Sequence, residues 1–313
     1  MTKLPNKEFR QIVPLLREKE FYESEEPREI SWPEYSLSQV EEATELLDFI
    51  EESVNKCEYL KRKGKRGKPL TDPKSLAKAI LICEALGFPE RIAEGWLKVL
   101  GSYVGIHEKL DDRVVGDGYD KVEVAYILRQ VFHNSKSSDG KLSGDGTGLE
   151  KSRKENYEEA KKYASYIISI VDSREVVQAF ELGERGECKV MKKLIEEVDG
   201  DSLRLDAGFN DRALVKKIAE LEMIPYVFPR SDNKLNGSPA WKNMYLELYY
   251  DVMTWLTEYH QRSHCESFHS SFKRKNRLLM KIRPLSQLCQ VMARIILHNR
   301  RRISYFEKLA KAN

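Results

Sequence analysis

The sequence predicts an α/β protein in which a mixed sheet flanked by helices follows an all-α N-terminal region. Residues 36–132 form amphipathic segments separated by proline and glycine, which indicates short packed helices. From Lys141 to Phe228, short runs rich in β-branched and aromatic residues alternate with helical segments. A stretch without proline or glycine then runs from Trp255 to Asn276, and we predict it as one helix.

The composition is that of a charge-rich globular protein of 313 residues, with 41% apolar and 33% charged side chains. The formal net charge of +3 is too small to indicate a nucleic-acid partner by itself. Five scattered cysteines without a CxxC pair fit a reducing compartment better than a disulfide framework. No apolar run approaches the roughly 18 residues of a membrane span, and no signal-peptide pattern begins the chain, so we expect a cytoplasmic protein.

The chain divides into three predicted regions that differ in composition and in expected secondary structure. Residues 1–35 mix glutamate, lysine and proline and are expected to form an arm with little core of its own. Residues 36–135 are predicted as a helical domain whose first helix starts behind Ser36 or Ser38 and runs to about Glu58. Residues 141–313 are predicted as a catalytic domain that ends in a basic helix.

A basic segment lies inside the helical region. Lys61–Lys68 holds six cations in eight residues, broken by two glycines. We interpret it as a loop that neutralises DNA phosphates through Lys65, Arg66 and Lys68, and an ordinary solvated linker is the alternative. Two short helices follow, separated by Gly87, with the outline of a helix-turn-helix that any pair of packed helices shares. We therefore interpret the helical region 36–135 as a candidate DNA-binding domain.

Three acidic residues occupy related places in the predicted sheet region. The predicted order after residue 141 is three strands, then a helix, a strand, a helix, a strand and the long helix. This is the order of the ribonuclease H-like fold. In that fold the middle of the first strand, the end of the fourth strand and the last helix converge at one edge of the sheet. Asp145, Asp206 and Glu266 occupy these three places.

Each acid also has a plainer interpretation. Asp145 could belong to a turn, since Gly-Asp-Gly is ordinary turn chemistry. Asp206 could cap the following helix, although Asp211 is better placed for that role. Glu266 could be only the i,i+4 partner of Arg262. Agreement between the three positions and the strand order favours a catalytic role for all of them.

The last helix adds a stripe of functional groups if it is continuous. A tyrosine, two cations and a carboxylate would then project within about 60°, namely Tyr259, Arg262, Glu266 and Lys273. A carboxylate there suits a divalent metal and the cations suit phosphate, while a solvated helix face is the alternative. Zinc-ligand atoms are also present at His260, His264, Cys265 and His269. We expect no zinc site, because the last two residues would point away from the first two.

The spacing Tyr259–x2–Arg262–x3–Glu266–x6–Lys273 resembles the Y-R-E-K signature of DDE transposases from bacterial and archaeal insertion sequences. The segment Asp206-Ala207-Gly208-Phe209 resembles the second-acid motif of that family. The segment Gly144-Asp145-Gly146-Thr147 resembles its first-acid strand. The resemblance covers about residues 65–300. Several relatives carry a long β-rich insertion before the last helix, whereas here only Ser231–Trp241 stands in its place, so a hairpin step at the DNA end stays open.

The resemblance implies a metal-dependent transposase. Asp145, Asp206 and Glu266 would hold two Mg²⁺ ions, with Mn²⁺ as a possible substitute. The protein would cut double-stranded DNA at terminal inverted repeats and join it to target DNA, acting as a homodimer because two ends are cut together. Phosphate contacts are expected from Tyr259, Arg262, Lys273, Arg274 and Lys275. Two alternatives are a non-catalytic DNA-binding protein derived from a transposase and a nuclease without strand transfer.

Overall fold

The computed structural model describes residues 4–18, 29–59, 70–150, 165–183, 186–276 and 278–312. In these residues no helix is both long enough and apolar enough to cross a membrane. The α-helices are α1 Asn6–Leu15, α2 Trp32–Val40, α3 Glu42–Asn55, α4 Pro73–Leu86, α5 Glu90–Leu100, α6 Asp112–Gly118, α7 Val122–Ser135, α8 Glu187–Leu194, α9 Arg212–Glu220, α10 Pro239–Tyr250, α11 Val252–His260, α12 Ser263–Lys275 and α13 Pro284–Ala312.

The chain forms two compact units. The first contains Met1–Ile30, Ser137–Gly148 and Tyr163–Ser271, and the second contains Ser31–Lys136, Leu149–Lys162 and Phe272–Asn313. Of the described residues, 4–18 fall in the same unit as the sheet, and 278–312 fall in the same unit as the helical region. The predicted arm at residues 1–35 and the predicted catalytic domain at residues 141–313 stay predictions.

The first unit is built on a five-stranded mixed sheet with the order β3-β2-β1-β4-β5. The strands are β1 Lys141–Leu149, β2 Ser165–Val171, β3 Val177–Gly183, β4 Ser202–Leu205 and β5 Ile224–Val227. Strands β2 and β3 form an antiparallel pair, while β4 runs parallel to both β1 and β5. The sheet confirms the predicted fold class, a ribonuclease H-like mixed sheet with helices and a helical N-terminal region.

The apolar core of the first unit explains why β4 lies inside the sheet. All four residues of β4 are buried, as expected for a parallel strand covered on both faces. Leu203 and Leu205 belong to a cluster that also contains Phe9 and Val13 of α1. The i,i+4 spacing of these two residues gives α1 an apolar face, and that face is buried. The start of the chain therefore contributes to this core.

The prediction of one continuous helix from Trp255 to Asn276 is wrong. It is divided into α11 and α12 by a turn at Gln261 and Arg262. The backbone N–H groups of Arg262, His264 and Cys265 bond to carbonyls three residues back, at 2.9, 3.1 and 3.1 Å, instead of four. Because the helical phase is interrupted there, the calculated 60° stripe does not describe these side chains.

The second unit is all-helical around α4 and α13. Helix α13 packs against α2, α4 and α7. A buried ion pair joins α13 to α4, with Arg294 Nε 2.6 Å from Glu84 Oε2 and both side chains less than 10% exposed. Glu84 also accepts hydrogen bonds from Tyr119 and Gln290, at 2.8 and 2.9 Å. These bonds satisfy the buried carboxylate, which would otherwise be costly to bury.

The helices before residue 101 differ in part from their predicted bounds. The helix expected from about residue 36 to Glu58 is instead the pair α2 and α3, and Val40 at their junction is 80% exposed. The next two predicted helices are present as α4 and α5. Gly87 ends α4 with φ +66°, a left-handed conformation that glycine adopts without strain. The role of this helix pair in DNA binding stays a prediction.

Candidate active site

Asp145 lies in β1, and Asp206 directly follows β4, the neighbouring parallel strand. Gly144 of β1 is paired with Leu205 of β4, so the next residue along the chain is one of the two acids in each case. Adjacent strands of a sheet are about 4.8 Å apart. The sheet therefore brings together two carboxylates that are separated by some sixty residues in the sequence, as the strand order predicted.

Asp145 is partly buried and has several charged side chains near it. Its Oδ1 accepts a hydrogen bond of 2.8 Å from the backbone N–H of Gly146. Burial raises the pKa of Asp145 to about 6; the Gly146 N–H and the Arg262 guanidinium oppose the rise, and the carboxylates of Asp206 and Glu266 add to it. Asp206 and Glu266 are thus close enough to act on Asp145 electrostatically.

Asp206 lies at the end of β4, where the chain turns. Its carboxylate accepts a 2.8 Å bond from the N–H of Gly208, while Asp211 caps α9 by accepting from Leu214 N. A side chain at position 208 would place its Cβ 2.8 Å from Asp206 Oδ1 and 3.4 Å from Glu187 Oε2. Gly208 therefore leaves a small space bordered by two carboxylates.

Glu266 lies in the first turn of α12 and is bonded to Arg262. Glu266 Oε1 is 2.7 Å from Arg262 Nη2. The arginine side chain is only 10% exposed, whereas the glutamate side chain is 52% exposed. The buried guanidinium of Arg262 thus orients the carboxylate of Glu266, and this carboxylate is still accessible to a ligand.

The structure places Tyr259 differently from the prediction of a phosphate contact. The residue is 1% exposed and belongs to the core of the first unit. Its ring centroid is 5.3 Å from that of Trp255, with the rings nearly parallel, and 5.0 Å from that of Phe228. A ring enclosed in this way stabilises the packing of α11 and does not reach a DNA backbone.

The predicted cations have different environments. Lys273 and Arg274, in the last turn of α12, have exposed side chains. Lys275 forms an ion pair with Glu42, with Nζ 3.1 Å from Oε1. The predicted DNA contacts Lys65, Arg66 and Lys68 lie outside the described residues.

Three residues near the acids were missed from the sequence. Glu187 begins α8 and its carboxylate accepts a hydrogen bond from the Tyr166 hydroxyl. Arg230 is exposed and donates to the carbonyls of Ala207 and Gly208 at 2.9 and 3.1 Å, which holds the turn after Asp206. His269 lies in contact with Asp145. Of these three, only His269 could have been found from the sequence, because it follows Glu266 by three residues in a helix and so lies on the same side of α12.

The ligand atoms around the acids are of the type that a divalent cation such as Mg²⁺ requires. Such ions prefer oxygen ligands, and Asp145 and Asp206 supply carboxylates from adjacent strands, with the space at Gly208 beside them. Within the described residues, no three His, Cys, Asp or Glu side chains lie close enough together to hold one ion. The two strand acids therefore fit a divalent cation in kind.

This chain is similar to a known protein family and to a solved structure. The family model of the transposase DDE domain matches residues 135–300. Among solved structures, the piggyBac transposase in its synaptic complex with hairpin DNA is similar at 11% sequence identity, with a TM-score of 0.41. The similarity covers 90% of this chain and 75% of that one. No curated protein matches the sequence.

Proposed function

Because the chain belongs to the family of transposase DDE domains, we propose that it is an active transposase, which cuts DNA at the ends of a mobile element and joins them to target DNA. The observation that carries the proposal is the parallel register of β1 and β4, in which Gly144 pairs with Leu205, so that the next residues along the chain are Asp145 and Asp206. Burial is the first cause of the raised pKa of Asp145, and Glu266 lies close enough to add to it. An insertion-sequence origin fits the spacing of Arg262, Glu266 and Lys273.

The residues of the site would work together on a phosphodiester. When bound by Asp145, Asp206 and Glu266, two Mg²⁺ or Mn²⁺ ions would supply Lewis-acid activation of the attacking oxygen and neutralise charge on the leaving oxygen. Gly146 N–H orients the carboxylate of Asp145 through Oδ1. Arg262 orients Glu266 through the 2.7 Å ion pair.

DNA would be held by cations that contact its phosphates. Exposed Lys273 and Arg274 suit this role, and so does Arg230 beside the turn after Asp206. Such contacts position a duplex without reading its sequence. The basic segment with Lys65, Arg66 and Lys68 adds a charge density typical of phosphate neutralisation. A homodimer on DNA is proposed, because both ends of an element are cut together.

The test is a product analysis with the wild-type protein. Labelled DNA that carries the inverted repeats flanking the coding region is incubated with a supercoiled target plasmid and Mg²⁺. We expect cleavage at the repeat ends followed by labelled DNA joined to the plasmid. Cleavage without joined products would instead support a nuclease, and binding of the repeats without cleavage would support a non-catalytic DNA-binding protein.

A further inference from the structure

A buried histidine contacts Asp145 on the side opposite to Gly146. His269 of α12 is 6% exposed, and its Nδ1 is 4.0 Å from Asp145 Oδ2. Its other ring nitrogen, Nε2, is 2.9 Å from the hydroxyl oxygen of Ser169 on β2. The imidazole therefore lies between a serine and the acid that we assign to the metal site.

The two contacts together favour one tautomer of the imidazole, in which Nδ1 carries the hydrogen that faces the carboxylate. If the Ser169 hydroxyl donates to Nε2, the hydrogen of a neutral imidazole is on Nδ1 and points toward Asp145. The opposite tautomer would turn the lone pair of Nδ1 toward a carboxylate oxygen, which is repulsive. In a protonated imidazole both nitrogens carry hydrogen, so Nδ1 is a donor in either case.

Both oxygens of the Asp145 carboxylate thus face a nitrogen-bearing group. Oδ1 accepts the 2.8 Å bond from Gly146 N–H, and Oδ2 faces His269. A separation of 4.0 Å is longer than a direct hydrogen bond, so the contact orients the carboxylate electrostatically. Burial of the imidazole and its bond to Ser169 fix the position of the donor.

We propose that His269 is a positioning residue, which holds the Asp145 carboxylate in the orientation that accepts a divalent cation, with Ser169 fixing its tautomer. This inference rests on the proposed function, because it places His269 beside the same site. Partners of metal ligands that act in this way typically change metal affinity by about 10–100-fold when they are removed.

Two isosteric substitutions separate the roles of the two ring nitrogens. The amide nitrogen of asparagine can take the place of Nδ1, whereas that of glutamine can take the place of Nε2. His269→Asn therefore keeps a donor toward Asp145, and His269→Gln keeps only the group toward Ser169. Cys265→Ala is the matched control, because Cys265 packs in the same cluster, with Sγ 3.9 Å from His269 Nε2 and 3.7 Å from Ser169 Oγ.

The experiment measures Mn²⁺ binding to each full-length protein without DNA, by the paramagnetic resonance signal of the free ion. Thermal unfolding shows that each variant is folded. We expect His269→Gln to weaken Mn²⁺ binding by about 10-fold or more, while His269→Asn and Cys265→Ala stay close to the wild type. Ser169→Ala should weaken binding in the same direction as His269→Gln, which provides a second test if one histidine variant does not fold.

The remaining outcomes overturn the inference. Equal Mn²⁺ affinity in all variants, or equal loss in His269→Asn and His269→Gln, would mean that the histidine only packs the core. A comparable loss in Cys265→Ala would mean the same. If the wild-type protein binds no Mn²⁺ and cuts no DNA, the proposed function fails as well. If it binds and cuts while the variants do not differ, only the role of His269 fails.

Discussion

Asp145→Asn and Asp206→Asn should each abolish metal-dependent DNA cleavage while leaving binding to the element ends intact. Asparagine keeps the shape of aspartate but loses the negative charge that a divalent cation requires. We expect the cleavage rate to fall by at least about 10²–10³-fold, the usual effect of removing one group that stabilises a transition state. The measurement is the single-turnover cleavage rate on labelled repeat-end DNA with Mg²⁺, together with a gel-shift assay of binding.

Asp211→Asn is the matched control for this pair. Asp211 lies five residues after Asp206 and caps α9 through Leu214 N, a role that asparagine also performs well. The control should therefore cleave at close to the wild-type rate. If either strand acid could be replaced with cleavage at the wild-type rate, the assignment of the metal site would be wrong.

Asp145→Asn should also make the metal-free protein more stable at neutral pH. The pKa of Asp145 in the folded protein is about 6, raised from 3.8 first by burial. Below pH 3.8 the carboxyl is protonated in both states and costs nothing. Ionisation of the folded state becomes increasingly unfavourable between pH 3.8 and 6, and the full cost is present above pH 6. The neutral amide removes this cost, which is up to about 3 kcal/mol.

The measurement is the free energy of unfolding of both proteins in a metal chelator, at pH 4 and at pH 7.5. The difference should be small at pH 4 and should favour the variant at pH 7.5. Asp211→Asn should show the opposite sign. Burial acts to raise the pKa of Asp211, but hydrogen bonds from Leu214 N and Lys192 outweigh it and lower the pKa, so its ionised form is stabilising above that pKa. An Asp145→Asn variant no more stable than the wild type at pH 7.5 would contradict the electrostatic description.

The sheet and the position of two acids were predictable from the sequence because both depend on local patterns. Runs of alternating or apolar residues locate the strands, and the chain order of strands and helices restricts the topology. Once β1 and β4 are adjacent and parallel, Asp145 and Asp206 come together. The glycines beside Asp145 therefore belong to a strand, and the glycine after Asp206 belongs to the turn that follows a strand, as the family motifs indicated.

Features set by tertiary packing were not predictable in the same way. The break at Gln261 and Arg262 occurs without proline or glycine, and the backbone N–H groups there bond to carbonyls three residues back instead of four. Tyr259 has a polar tip that suggested a surface role, yet its ring stacks on Trp255. The contact of His269 with Asp145 joins residues more than a hundred positions apart, which no local pattern records.

The most direct test of the account is a change of metal preference at Asp206. Asp206→Cys replaces an oxygen ligand by sulfur, which suits softer ions than Mg²⁺. We predict that this variant, kept reduced, does not cleave repeat-end DNA with Mg²⁺ but recovers cleavage with Mn²⁺, whereas Asp206→Asn cleaves with neither ion. If the wild type is active with Mn²⁺ and Asp206→Cys remains inactive with it, or if Asp206→Cys cleaves normally with Mg²⁺, then Asp206 does not hold the catalytic metal.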